Sequence, residues 1–338
     1  MLIKKRISES PTKDRNGNTF NVSVGTSAVQ DIILTYDGNG NAKYIWISAG
    51  TKVYRVDISD PTNMVVDPAG GITVTGTPKA MTFDGTNVWV VCTTEGSFGT
   101  LKTIHKDTLT VTSIYAPSSG AVLKSNIGYG DNNYVYFSKN TDGLYKILKD
   151  SPFTVSVVSS AATVFDGDMV MAGGYLYIAG RSSANQVAKL DPTNDTFFAT
   201  NLSSASSHLF SDGVDVWKGL SSGGSANIHK VIPSGTSSVT VCQSPLGYAD
   251  SVGVTPWDRV NGEATRLWYI TSNTGDYLVK IDLNGYVRVV YSDTHPSPWS
   301  GVQTLEKFTC SVNVADPKYV FLILSTSTTR YLMAVENK

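Results

Sequence analysis

The 338-residue sequence is poor in charge, histidine and cysteine. Only 16% of the residues are charged, and the formal net charge is −1. A chain so close to neutrality presents no broad basic field, so we expect neither nucleic-acid binding nor attraction to an anionic membrane surface. The sequence contains four histidines and three cysteines, so few such side chains could form a catalytic or metal centre.

Other missing patterns exclude further classes of protein. Cys92, Cys242 and Cys310 show no Cys-x-x-Cys spacing, which argues against a disulfide framework or a zinc site. The longest apolar run, Tyr319–Leu324, is far shorter than the ~20 residues that cross a bilayer, so no membrane insertion is expected. The first ten residues contain no apolar core, so we expect no secretory signal peptide. No nucleophile elbow, HExxH, P-loop or dinucleotide-binding glycine fingerprint is present.

The stretch Thr77–Tyr115 contains a succession of predicted β-strands. It reads as four short strands, in which Asp84-Gly85 forms a tight turn between the first two. The predicted strands are Lys79–Phe83, Val88–Thr93, Leu101–Lys106 and Leu109–Tyr115. Because a four-stranded meander of about 40 residues cannot bury both faces alone, it needs similar units beside it.

Similar units recur along the chain, each marked by an aromatic residue in its second predicted strand. These aromatic residues, called anchors below, lie 40 to 53 residues apart: Trp46, Trp89, Tyr136, Tyr177, Trp217, Trp268 and Phe321. A third strand with a basic residue between apolar ones follows most anchors. Tandem units of this size predict an all-β fold, a single seven-bladed β-propeller of four-stranded blades.

The two ends of the repeat region predict how the ring closes. The last unit has only three predicted strands, and Phe20–Val24 resembles a fourth strand that precedes a new unit. We therefore expect this N-terminal strand to complete the last blade, which removes an open sheet edge. The predicted organisation is an N-terminal extension over 1–18 and a propeller over 19–338.

The repeats resemble those of the YVTN/NHL-type propellers and of the streptogramin-lyase-like group. The resemblance rests on FDGTNVWVV at Phe83–Val91 and on LWYITSNTGDYLVKIDLNGYV at Leu267–Val287. It implies the propeller fold over about residues 20–338. It implies little about chemistry, because the family includes lyases, lactonases, interaction modules and virion proteins.

The predicted channel supplies the candidate ligand residues. In propellers, ligands commonly lie where the first strands converge, and oxygen or imidazole groups from different blades can bind a divalent cation there. The candidates are Asp31, Asn126, Asp168, His208 and Asp250, with Lys79 and Lys307 as further polar residues of the same strands. The alternative is a water-filled channel with ordinary polar walls. His105 and His229 fall in third strands away from the channel. The channel is therefore not expected to contain the several histidines that a lyase of this group would need.

Two segments are candidates for partner binding. The extension carries Lys4, Lys5 and Arg6, and we expect it to act as a docking arm for a neighbouring subunit. A Pro-rich insertion between the last two units carries His295 and Trp299. An exposed Trp299 would bind a partner, whereas a buried one would plug the channel.

The functional prediction is a non-enzymatic structural or interaction protein without a cofactor. The Ser-, Thr-, Gly- and Asn-rich composition and the missing signal peptide favour a bacteriophage virion component, such as a tail, baseplate or fibre-attachment protein made in the host cytoplasm. Its partners would be other virion or assembly proteins, including copies of itself. The alternatives are a metal-dependent lyase or lactone hydrolase with its site at the channel mouth, and a cytoplasmic bacterial protein-binding propeller.

Overall fold

A computed structural model describes most of the propeller region. The described residues are 19–118, 122–130, 133–139, 143–159, 167–180, 187–200, 209–211, 213–222, 225–231, 238–244, 249–254, 259–260, 263–264, 266–271, 277–282, 286–292, 302–310, 319–326 and 328–336. Every regular element in these ranges is a β-strand. None of the described residues forms a helix long and apolar enough to cross a membrane.

The described ranges contain 31 strands. The first half of the chain forms β1 (Thr19–Ser23), β2 (Val29–Tyr36), β3 (Ala42–Ala49), β4 (Lys52–Asp57), β5 (Val65–Val66), β6 (Ile72–Thr73), β7 (Pro78–Phe83), β8 (Asn87–Cys92), β9 (Thr100–His105), β10 (Val111–Tyr115), β11 (Leu123–Tyr129), β12 (Tyr134–Lys139), β13 (Gly143–Leu148) and β14 (Val155–Ser159). The second half forms β15 (Met169–Ala172), β16 (Tyr175–Ala179), β17 (Val187–Asp191), β18 (Thr196–Thr200), β19 (Leu209–Ser211), β20 (Val216–Ser222), β21 (Ser225–Val231), β22 (Ser238–Ser244), β23 (Ala249–Val254), β24 (Arg259–Val260), β25 (Glu263–Ala264), β26 (Arg266–Thr271), β27 (Tyr277–Asp282), β28 (Tyr286–Ser292), β29 (Val302–Cys310), β30 (Tyr319–Thr326) and β31 (Arg330–Glu336).

These strands form antiparallel sheets arranged as a β-propeller. Among the described residues, six blades have four strands: β7–β10, β11–β14, β15–β18, β19–β22, β23 with β26–β28, and β29–β31 with β1. The prediction of seven four-stranded blades is therefore wrong. The sheet formed by β2 to β6 has five strands, and β24 and β25 form a separate two-stranded ribbon.

The sheet of β2 to β6 departs from the repeat because its outer strand is interrupted. Val65–Val66 and Ile72–Thr73 pair separately with the two ends of β4. Pro68 has no backbone N–H and cannot extend the ladder between them. The chain instead turns, with Gly71 at a φ of 71° donating its N–H to the Pro68 carbonyl at 2.8 Å. A left-handed φ favours glycine here.

The first strands of the sheets form a closed ring. Each contacts the next in the order β2, β7, β11, β15, β19, β23, β29 and back to β2. The predicted closure by the N-terminal strand is present, since β1 pairs with β31 from Thr19 opposite Val335 to Ser23 opposite Tyr331. Beyond this pairing, Arg330 donates its backbone N–H to the Gly25 carbonyl at 2.7 Å.

The anchors occupy the second strands, and those with described side chains are buried. Trp46, Trp89, Tyr136 and Tyr177 are all fully or almost fully buried. Trp46 packs with Met81, Val88 and Val90 of the next blade along the chain. The Trp46 side chain thus points toward the following blade and packs between the two sheets.

The basic residue of the third strand is a second element that joins neighbouring blades. Lys146 lies 4.3 Å from the ring centroid of Tyr134 and forms an ion pair with Asp195 of the next blade at 2.5 Å. Arg55 Nη1 donates to the Lys106 carbonyl of the next blade at 2.6 Å. The recurring cation therefore combines stacking on an aromatic ring with a bond across the junction.

The turn between first and second strands is fixed by its aspartate. Asp84 accepts the backbone N–H groups of Thr86 at 2.8 Å and Asn87 at 2.7 Å. Its second oxygen accepts the Trp89 indole N–H at 2.7 Å. The aspartate that precedes the anchor by five residues is therefore a turn residue and a partner of the anchor.

Candidate functional site

Three of the predicted channel residues lie at one equivalent position of the first strands. Asp31 pairs with Ser48, which is two residues beyond the anchor Trp46. Asn126 and Asp168 lie opposite the corresponding residues of their own second strands, since Asn126 Oδ1 accepts the Ser138 N–H at 3.3 Å and the Asp168 carbonyl accepts the Ala179 N–H at 2.9 Å. The backbone of Lys307 has the same register, opposite Ile323.

The two acids at this position connect neighbouring blades. Asp31 Oδ2 accepts the backbone N–H of Met81 on β7 at 2.7 Å, and its Oδ1 accepts the N–H of Ile32 at 2.8 Å. Asp168 Oδ2 accepts the N–H of Leu209 on β19 at 3.1 Å. Each carboxylate therefore holds the first strand of the next blade by a charge-assisted hydrogen bond.

Asn126 is engaged within its own blade. Its side chain is buried, and Nδ2 donates to Ser138 Oγ at 3.2 Å. The amide replaces backbone pairing where the register of β11 shifts. These contacts give Asn126 a structural role, and its assignment as a cation ligand stays a prediction.

A further polar contact joins β2 and β7, the first strands of two neighbouring sheets. Lys79 Nζ donates to Gln30 Oε1 at 2.7 Å. Both residues lie at register shifts, one between Val29 and Asp31 and the other between Pro78 and Ala80. The extra residue at each bulge is left out of the ladder, which frees its side chain for this contact.

The remaining predicted site residues have no described side chain. The backbone of Asp250 lies in β23, at the register shift between Ala249 and Ser251. Lys4, Lys5, Arg6, His208, His295 and Trp299 lie outside the described residues. Within the described ranges, no group of three or more His, Cys, Asp or Glu side chains is arranged to hold a metal ion. Cys92 is a buried free thiol, and burial raises its pKa to about 12.

Sequence reasoning missed Lys218, which directly follows the anchor Trp217. Its side chain is only 1% exposed, and burial lowers its pKa to about 8. No carboxylate among the described residues forms an ion pair with it. In the sequence, Lys218 between Trp217 and Gly219 resembles the basic residue that recurs in third strands. No sequence pattern therefore indicates that the Lys218 side chain is buried.

Lys102 is a second buried lysine, and it has partners. Its Nζ lies 2.7 Å from Glu95 Oε2 and donates to Thr75 Oγ1 at 2.6 Å. Burial acts to raise the pKa of Glu95, but the hydrogen bonds from Lys102 and Thr75 hold it below its usual range. The hydrogen bonds between Thr75 and both members of this ion pair join the hairpin of β8 and β9 to the segment that precedes β7.

Two of the exposed apolar side chains lie on the outer strands β14 and β18, whereas others, such as Val214, lie in connecting segments. Val157 on β14 is 56% exposed and Phe198 on β18 is 45% exposed. Both belong to fourth strands, whose free edges face outward. An exposed apolar side chain on the edge strand of a sheet is a candidate for contact with another protein.

Comparison with known proteins finds similarity of structure and not of sequence. No family model and no curated protein matches the chain. A structure described as YCF48 bound to D1 peptide has a TM-score of 0.62 at 14% identity, covering 97% of this chain and 98% of that one. A catalytically inactive virginiamycin B lyase from Staphylococcus aureus with quinupristin has a TM-score of 0.63 at 10% identity, with 94% and 99% covered. The Dos1 propeller has a TM-score of 0.61 at 8% identity, with 96% of each chain covered. At these identities the likeness shows the β-propeller fold, in agreement with the resemblance seen in the repeats.

Proposed function

We propose that this chain is a non-enzymatic propeller that docks onto protein partners within a larger assembly, in the role of a bacteriophage virion component. The observation that carries the proposal is the distribution of polar and apolar side chains. Asp31 and Asp168, the two channel candidates with described carboxylates, bind backbone N–H groups of neighbouring blades. Val157 and Phe198, by contrast, present apolar surface at the outer edges.

Similar structures support protein binding as the general role. One of them is the propeller YCF48 with a D1 peptide bound to it. In the proposed assembly the basic extension over 1–18 docks onto a neighbouring subunit. Since the extension leads directly into β1, the outer strand of the closing blade, a partner that binds it would lie against the rim of the ring.

The test compares the mass of the full chain with that of a variant lacking residues 1–18, by light scattering after size exclusion. We expect the full chain to form oligomers and the truncated chain to be a folded monomer. Two monomers would contradict the proposed self-assembly through the extension. Val157→Asp tests the outer edge, and Thr112→Asp is the control because Thr112 is an exposed residue on the outer strand of another blade.

A lyase is the second candidate, and the similarity to virginiamycin B lyase is the observation that favours it. The test incubates the purified chain with quinupristin and a divalent cation, and follows the loss of quinupristin by chromatography. Turnover that disappears in Asp31→Asn would favour the lyase. An unchanged amount of quinupristin would count against it.

A further inference from the structure

The second strand β20 carries a charge where other second strands carry apolar residues. In the five other second strands whose side chains are described, the residue that follows the anchor is apolar and fully buried: Ile47, Val90, Phe137, Ile178 and Leu322. Lys218 has the same register, since it pairs with Leu209 of the first strand as Ile178 pairs with Met169. The sequence therefore places an ammonium group at a core position of this blade.

Lys218 faces the junction with the preceding blade, β15–β18. Ile178, at the equivalent position, packs with Tyr136 of the blade that precedes its own. Val216 lies two residues from Lys218 on the same face of β20, and it packs with Tyr177 and Ala179 of the preceding blade. The ammonium group is thus enclosed between two sheets.

The described residues at this junction include small apolar side chains, and a backbone hydrogen bond crosses it. Its apolar cluster includes Ala172 and Ala179, whereas the cluster at the previous junction contains larger side chains such as Leu176 and Leu190. Gly173 donates its N–H to the Gly213 carbonyl at 2.9 Å across the junction.

An enclosed ammonium with no counter-ion among the described residues destabilises the closed junction. Removing a charge from water is costly unless the charge is paired, and opening the junction would return it to water. Local opening occurs preferentially where its free energy is lowest. Lys102 does not create the same weakness, because Glu95 compensates its charge.

We propose that the ring opens between the β15–β18 blade and the β19–β22 blade, and that Lys218 sets this position. Opening there separates β20 from β16 and hydrates the ammonium group. It exposes the otherwise buried Tyr177 and Val216, while the other junctions remain closed.

Hydrogen exchange followed by mass spectrometry tests the proposal on the full chain. The measured quantity is the protection factor of peptides that cover β20 and β8, its counterpart in another blade. In the wild type we expect lower protection in β20 than in β8. Lys218→Met should raise protection in β20 by about tenfold or more, since each pKa unit of charge burial corresponds to a factor of ten, and should leave β8 nearly unchanged.

Two outcomes would overturn the proposal. Equal protection of β20 and β8 in the wild type would show that the ring has no preferred opening at this junction. An equal increase in both strands on Lys218→Met would show that the lysine affects only global stability. Val90→Lys places the same charge between the β2–β6 sheet and the β7–β10 blade, and it should lower protection in β8. If that variant does not fold, the Lys218→Met comparison decides the matter alone.

Discussion

Replacing Lys218 with methionine should stabilise the folded chain strongly at neutral pH. Burial lowers the pKa of Lys218 from an ordinary value of 10.5 to about 8. A shift of that size corresponds to about 3 kcal/mol of unfavourable free energy in the protonated folded state. Methionine has a similar length and no charge, so Lys218→Met should raise the free energy of unfolding by about 3 kcal/mol at pH 7.

The gain should depend on pH in a defined way. Below pH 8 the lysine is protonated in both the folded and the unfolded states, so the penalty is fully present. Between pH 8 and 10.5 the unfolded state binds more protons than the folded state, so the wild type gains stability as the pH rises. Above pH 10.5 the lysine is neutral in both states, and the two proteins should differ only by the packing of the side chain.

Urea denaturation followed by tryptophan fluorescence, at several pH values between 7 and 10.5, measures the difference. Both proteins contain the same other titratable groups at this junction: Tyr177 packs with Val216, and Lys189 lies 3.7 Å from the ring centroid of Tyr175. Lys102→Met is the matched control, and it should destabilise the chain because it removes the partner of Glu95. A Lys218→Met variant that is no more stable at pH 7, or whose advantage persists unchanged at pH 10.5, would refute the reasoning.

The remaining predictions concern one ion pair and one close backbone approach. Glu95→Gln leaves Lys102 buried without a counter-ion and should lower the free energy of unfolding by about 2 to 4 kcal/mol, measured by urea denaturation. Because the folded-state pKa of Glu95 is lowered, its contribution should be present above the ordinary value of 4.5 and be lost as the pH falls through the folded-state pKa. Gly128→Ala would place a Cβ 2.7 Å from Met169 Cβ and should cost about 1 to 3 kcal/mol, whereas Gly38→Ala meets no atom within 4 Å and serves as its control in thermal denaturation.

The anchors and the closing strand could be predicted because their signals are periodic. Trp89 lies in a dense apolar run after an Asp-Gly turn, and the structure buries it between blades. Thr19–Ser23 is predictable as a fourth strand because the last unit lacks one. The predicted blade count is wrong because Pro68 interrupts an outer strand that otherwise resembles its counterparts. A two-residue strand on either side of a turn gives no periodic signal.

The roles of individual polar residues could not be predicted, because they depend on partners in other units. Asp31 is a ligand candidate from its place in a first strand, yet the atom that it binds belongs to Met81, 50 residues away. Lys102 and Lys218 are both lysines within apolar strands. Lys102 has Glu95 as its counter-ion, whereas Lys218 has none among the described residues, and the sequence does not indicate which of the two lysines is paired.

The bonds between first strands also constrain where this ring can bind a partner. A substitution at Asp31 or Asp168 removes the acceptor of a backbone N–H group in the next blade, so a ligand site built there would compete with the closure of the ring. Val157 and Phe198 are under no such constraint, since their side chains lie on outer strands with one free edge. Phe198 contacts the ring of Tyr175 in its own blade, whereas Val157 is the more exposed of the two side chains. The outer strands therefore offer the proposed protein partner a surface that can change without removing a bond between first strands.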